Sequence, residues 1–213
     1  MLHPIRESRR DSRRKLNMTN KQIKRMTAIA FLMALVFVMQ FLGGMIPAPA
    51  GFSISLVLIP IVLGSAMYGP GVGALLGATF GLIVFINCVT GFDVGGAMVF
   101  QANPILCFIV VMAKGTLAGF VSGAVYKLLK KVNGYFAMVT AAIVCPVVNT
   151  GVFVLCMLTF FRDVLNAWAS GGDLLAYILS GLVLANFVPE LIINVLFSPA
   201  GQLIKNVVQN KKY

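Results

Sequence analysis

"YGPGVGALLGATFG", Tyr68 to Gly81, can be read in two ways, and the choice decides the fold. As a phosphate cradle it would need a Lys followed by Ser or Thr after its last glycine, or a G-x-G-x-x-G run between a strand and a helix. The spacing is instead Gly71-Val72-Gly73-Ala74-Leu75-Leu76-Gly77, and no lysine follows until Lys114. As a helix, the same stretch carries Gly69, Gly73, Gly77 and Gly81 at four-residue steps, which line up as one smooth ridge. Such a ridge has a use only where another helix comes close.

The composition says where these helices lie. Of 213 residues, 59% are hydrophobic and 11% charged. A hydrocarbon core about 30 Å thick takes about 20 helical residues per crossing. The apolar runs predict six crossings: Met26 to Gly44, Ser53 to Tyr68, Gly71 to Asn87, Ile105 to Tyr126, Tyr135 to Phe161 and Leu174 to Phe197. The second is short, as a tilted or partly re-entrant segment would be. The expected fold is therefore an all-α membrane protein with six transmembrane helices and both termini cytoplasmic, multi-pass in a plasma membrane. Residues 1–25 form a basic tail, residues 26–204 the six-helix domain, and residues 205–213 a second basic tail.

Orientation follows from the basic residues. Residues 1–25 hold nine of the 17 Lys and Arg. With the amino terminus inside, Lys127, Lys130, Lys131, Lys205, Lys211 and Lys212 fall inside as well, whereas the opposite loops carry Arg162 with Asp93, Asp163 and Asp173. That asymmetry is the one the positive-inside rule expects. The net charge of +11 thus reports topology in a lipid bilayer and not nucleic-acid binding. Cys88, Cys107, Cys145 and Cys156 lack C-x-x-C spacing and fall in or beside apolar spans, so they read as packing residues, with no metal site. The one histidine is His3, in the basic tail, which leaves no zinc-protease motif, no Ser-His pair and no catalytic residue to name.

Two ionisable residues remain inside the spans, Lys114 and Glu190. Each costs at least about 2.5 to 3.5 kcal/mol at the bilayer centre, so each should face a cavity, a partner or a ligand. Asn186, Glu190 and Asn194 recur every four residues and share a helix face, and Pro189 frees the carbonyl of Ala185. That is a polar stripe with a local kink. Asn149 and Thr150 lie three and four residues after Pro146, in "CPVVNTG". A Lys114–Glu190 ion pair and an interhelical hydrogen bond from Asn149 are the competing structural readings. The outer connection Asn87 to Pro104 is long and mixes Gly91, Gly95 and Gly96 with Phe92, Phe100, Gln101 and Asn103, as a loop closing over an outward pocket would. Candidate ligand contacts are accordingly Lys114, Asn149, Asn186, Glu190, Asn194, Gln101 and Asn103. A stand-alone secondary carrier using Glu190 for ion coupling is the alternative, although two inverted halves with matching broken helices are not evident.

The glycine ridge has counterparts in Gly115, Gly119 and Gly123, and in Ala30 and Ala34 of the first span. Small-xxx-small faces let helices approach in lipid, within the chain or between chains. Taken with "TAIAFLMALVF", "IPIVLGSAMYGPGVGALLG" and "KGTLAGFVSGAVYKLLKK", the chain from Met18 to Lys212 resembles the substrate-binding S components of energy-coupling factor (ECF) transporters, which import vitamins and related micronutrients. The resemblance implies a substrate site near the outer face and contact of Ala30 and Ala34 with a transmembrane coupling protein. It also implies that two cytoplasmic ATPase subunits bind the ATP, so this chain needs no cofactor of its own. Pantothenate is one candidate substrate, with Lys114 on its carboxylate and Asn149 or Asn186 on its amide and hydroxyls.

Overall fold

A computed structural model describes residues 3–44, 56–169 and 172–210, which form helices joined by short turns. In chain order these are α1 (His3–Gly44), α2 (Leu58–Tyr68), α3 (Pro70–Thr90), α4 (Val94–Ala102), α5 (Pro104–Leu129), α6 (Gly134–Phe160), α7 (Arg162–Trp168) and α8 (Leu174–Tyr177). A wide-turned π segment (Ile178–Phe187) then leads into α9 (Val188–Asn210). The starts have local causes. Pro70 and Pro104 occupy first-turn positions where a missing N–H costs nothing. Asn103 Oδ1 accepts from Leu106 N at 3.0 Å, and Asn133 Oδ1 accepts from Tyr135 N at 2.8 Å, capping α5 and α6.

Among the described residues, five helical stretches are long and apolar enough to cross a membrane: Gln22–Gly43, Pro70–Thr90, Pro104–Leu129, Gly134–Phe160 and Leu174–Val208. The expected second crossing differs. Its helix, α2, has 11 residues and spans about 17 Å, well short of the hydrocarbon core. The beginning of that expected span, at Ser53, lies outside the described residues. Large apolar side chains cover the outside of the bundle, among them Ile105 and Leu128, each about three-quarters exposed. The chain is a multi-pass membrane protein whose outer surface is matched to lipid, as a cell-membrane location requires.

The opening stretch turns out to be the tightest seam of the bundle. A Cβ placed on Gly73 would strike the carbonyl of Gly119, one on Gly77 the carbonyl of Gly115, and one on Gly81 the carbonyl of Val111. The partner number falls by four at each step, so α3 and α5 run antiparallel with their backbones in contact. Gly115 and Gly119 return the contact, meeting the carbonyls of Gly77 and Gly73. Beside the seam, Ser122 Oγ donates to Gly119 O and stands 3.4 Å from Ser65 Oγ, a small polar link from α5 to α2. The third small-residue pair behaves differently. Ala30 and Ala34 are both exposed on α1.

Candidate functional site

The long outer connection is largely helix. Gly91, at φ 75°, turns the chain out of α3, in a left-handed conformation that a side chain would strain. Asp93 then caps α4, its Oδ1 accepting from Gly96 N at 3.0 Å. Phe92 stacks on Phe41 of α1 with ring centroids 5.9 Å apart. Phe100 meets Phe85 of α3 edge to face at 5.8 Å, and Trp168 Nε1 donates to Met98 Sδ at 3.2 Å. A Cβ on Gly96 would strike Cys88 Sγ, so α4 lies directly on the end of α3. These contacts hold α4 as a cap across one end of the bundle.

Beneath this cap is a narrow cavity, about 50 Å³ as measured by the space open to the centre of a water molecule. It lies where α3 ends and α5 begins. Four residues singled out by polarity in an apolar chain, Lys114, Asn149, Asn186 and Glu190, all line it. Each comes from a different place: α5, α6, the π segment and α9. Gln40 of α1, Asp93 of the cap and Thr150 of α6 add to the polar lining, and Phe80, Val84, Val110 and Phe153 supply apolar wall.

Lys114 sits between aromatic rings, with Nζ 4.8 Å from the Phe153 centroid and 5.7 Å from that of Phe80. Ring faces carry negative potential and stabilise a cation where water is scarce. Glu190 is 1% exposed and Asn149 is 5% exposed. Gln40 Oε1, Asn149 Oδ1 and Asn186 Oδ1 are buried with no hydrogen-bond partner among the described residues. A buried acceptor without a partner costs about 1 to 3 kcal/mol. Three around one cavity form a lining suited to a ligand that brings hydrogen-bond donors.

The π segment explains how Asn186 and Glu190 reach the cavity together. Pro189 has no N–H to return to Ala185, and Val188 N bonds instead to Val183 O, one residue farther than an α-helix allows. The predicted stripe does not reach the cavity at Asn194. Asn194 turns its amide back, Nδ2 donating to Glu190 O at 2.8 Å, and lines a separate, mostly apolar cavity with Met138, Phe197 and Ser198. Gln101 is exposed on α4, and Asn103 caps α5. None of these three lines the polar cavity. Gln40 and Asp93 were absent from the sequence-based contacts, although Gln40 interrupts an otherwise apolar run in "FLMALVFVMQFLGG", which is a usable signal.

Compared with known protein families, the chain matches the description "ECF transporter, substrate-specific component" over residues 24–200. A search of curated proteins returned no significant match.

Proposed function

We propose that this chain, which belongs to the substrate-specific components of ECF transporters, captures a small water-soluble vitamin or related micronutrient in the cavity beneath α4. Components of this family are binding modules and not enzymes, and they work with transmembrane and ATPase partners. The observation that carries the reading is the convergence of Lys114, Asn149, Asn186 and Glu190, from four segments, on one cavity in a membrane bundle. Lipid would penalise each of them, and the cavity gives each a use.

In this reading Lys114, held between Phe80 and Phe153, takes the anionic group of the substrate. Asn149, Asn186 and Gln40 accept from its hydroxyl or amide donors, and Asp93 and Glu190 add carboxyl groups at either side. Pantothenate is the specific candidate, with its carboxylate on Lys114. The cavity now has room for a few water molecules, so a vitamin is admitted by displacement of α4, with Gly91 as the turning point. The substrate side faces outward, because the basic clusters of the chain gather at the other end. Six crossings follow if α2 and the residues before it complete the second. Delivery runs through a transmembrane coupling protein that meets Ala30 and Ala34, with two cytoplasmic ATPases supplying energy.

The test is mass spectrometry of small molecules that copurify with the detergent-solubilised protein, followed by titration of the molecule found. One water-soluble ligand at near-unit stoichiometry, bound in the micromolar range or tighter, is the expected result. Finding none from cells grown in a vitamin-replete medium, with no binding across a vitamin panel that includes pantothenate, would end this reading.

A further inference from the structure

A second cleft opens at the opposite end of the bundle, where α3 begins and α5 ends, and it has the opposite character. On the same measure it is about 520 Å³. Arg25 of α1, Lys127 of α5, Lys130 just after it and Lys205 of α9 all line it, together with the α2–α3 turn at Gly69 to Gly71, and among the described residues neither Asp nor Glu does. Four cations from three helices around one space repel one another unless an anion sits among them. We propose that this cleft binds the phosphate headgroup of an anionic phospholipid. The proposal concerns the end remote from the substrate cavity and does not depend on the identity of the substrate.

Three features make the cleft a built one. Lys205 is held in place, its Nζ 5.2 Å from the centroid of Tyr126. Tyr126 is itself 2% exposed and fixed by its hydroxyl, which donates to Gln202 Oε1 at 3.1 Å, while Gln202 Nε2 donates to Asn206 Oδ1 at 3.1 Å. The positive end of the α3 dipole also faces the space, since α3 starts at Pro70 and Gly71 on the rim, and a Cβ on Gly71 would meet nothing within 4 Å.

The depth and the surroundings favour a lipid as the source of the phosphate. Arg25 stands at the beginning of the apolar stretch Gln22–Gly43, and Lys127 and Lys130 at the end of Pro104–Leu129, so the cations lie at the boundary of the hydrocarbon, where phospholipid phosphates are. Leu128 and Ile204, both exposed, flank them on the lipid side and can take the acyl chains. Basic pockets between transmembrane helices at this level are suited to anionic headgroups, with each Lys or Arg adding to the attraction.

Native mass spectrometry of the full chain in neutral detergent tests this, with phosphatidylglycerol, phosphatidylcholine of the same acyl chains, and inorganic phosphate as probes. Preferential retention of phosphatidylglycerol is expected, and about a fivefold loss for each of Arg25→Gln, Lys127→Gln, Lys130→Gln and Lys205→Gln. Lys24→Gln and Lys131→Gln remove the same charge next to the cleft without lining it, and should change retention less than twofold. Equal losses in these two controls would mean a diffuse surface charge and no site, as would equal retention of phosphatidylcholine. Millimolar phosphate that binds as well as the lipid and displaces it would show a soluble-anion site and overturn the lipid assignment. Should Lys205→Gln lower the melting temperature, the Lys127→Gln/Lys130→Gln pair, on an exposed last turn, carries the test alone.

Discussion

At the scale of single residues, the proposed substrate role of the polar cavity turns on Lys114 and Glu190, which both line it. Two accounts of them predict different outcomes. If Lys114 binds substrate, Lys114→Met loses a charge-assisted contact of about 1.5 to 3 kcal/mol, and affinity falls about ten- to a hundredfold with little change in melting temperature. Glu190→Gln, which keeps shape and a hydrogen-bonding group, should weaken binding less. If the two serve mainly as a structural ion pair, each single change lowers the melting temperature, the double change restores part of it, and affinity of the folded fraction is intact. Titration and thermal melting of both single variants and the double variant separate the accounts; unchanged affinity in all three takes both residues out of the site. These residues were legible in the sequence because a bilayer penalises polar groups without regard to tertiary structure, so any such residue in an apolar run is conspicuous. Asp93 was not conspicuous, since a loop aspartate needs no explanation until α4 is seen to fold it over the cavity. Asn194 was conspicuous and misleading: in regular α9 it shares a face with Glu190 but lies one turn farther along, where its amide turns back to Glu190 O and it lines the separate apolar cavity.

At the scale of elements, the α3–α5 seam sets how closely the bundle can close. Helices in lipid gain nothing from the hydrophobic effect on meeting, so van der Waals contact between backbones carries their association. Gly77→Ala puts a methyl group onto the carbonyl of Gly115, where no flexible side chain can yield. The helices must separate, at a cost of about 1 to 3 kcal/mol. Gly77→Ala and Gly115→Ala are therefore expected to lower the melting temperature by several degrees in detergent. Gly151→Ala serves as the comparison: its added Cβ meets nothing within 4 Å on an exposed face of α6, and the change should be neutral or slightly stabilising. Equal effects at 77 and 151 would mean that helix propensity, not close approach, governs this seam. The ridge itself was readable from its period, and its antiparallel partner was not, because a four-residue repeat states that a face is smooth without stating what meets it. The same limit applied to the outer connection, where three glycines and no long apolar run gave a loop reading. The Asp93 cap and the packing of Val99, 3% exposed, supply the helix.

At the scale of the whole molecule, the two ends and one flank are assigned different tasks. The polar cavity lies under α4, the basic cleft at the other end, and the smooth patch around Ala30 and Ala34 on the outside of α1, bordered by exposed Phe31 and Phe37. If both termini are cytoplasmic, a single cysteine introduced at position 93 will label from outside and one at position 131 from inside; labelling of both from the same side would end the six-span arrangement. The patch on α1 can then be tested without disturbing the cavity. Ala34 and Ala30 precede the cavity residue Gln40 by about 9 and 15 Å along the helix, and both are exposed, so a larger side chain there can extend away from the bundle. Ala30→Phe or Ala34→Phe should thus leave the melting temperature and the substrate affinity of the isolated protein within about twofold of wild type. A partner helix that relies on close approach has no such latitude, since one aromatic ring holds two backbones apart. Association with the coupling protein, measured by copurification, and uptake by whole cells are both expected to fall at least tenfold. Full uptake in the Phe variants would leave the patch facing lipid alone, and a parallel loss of substrate affinity would make it part of the fold.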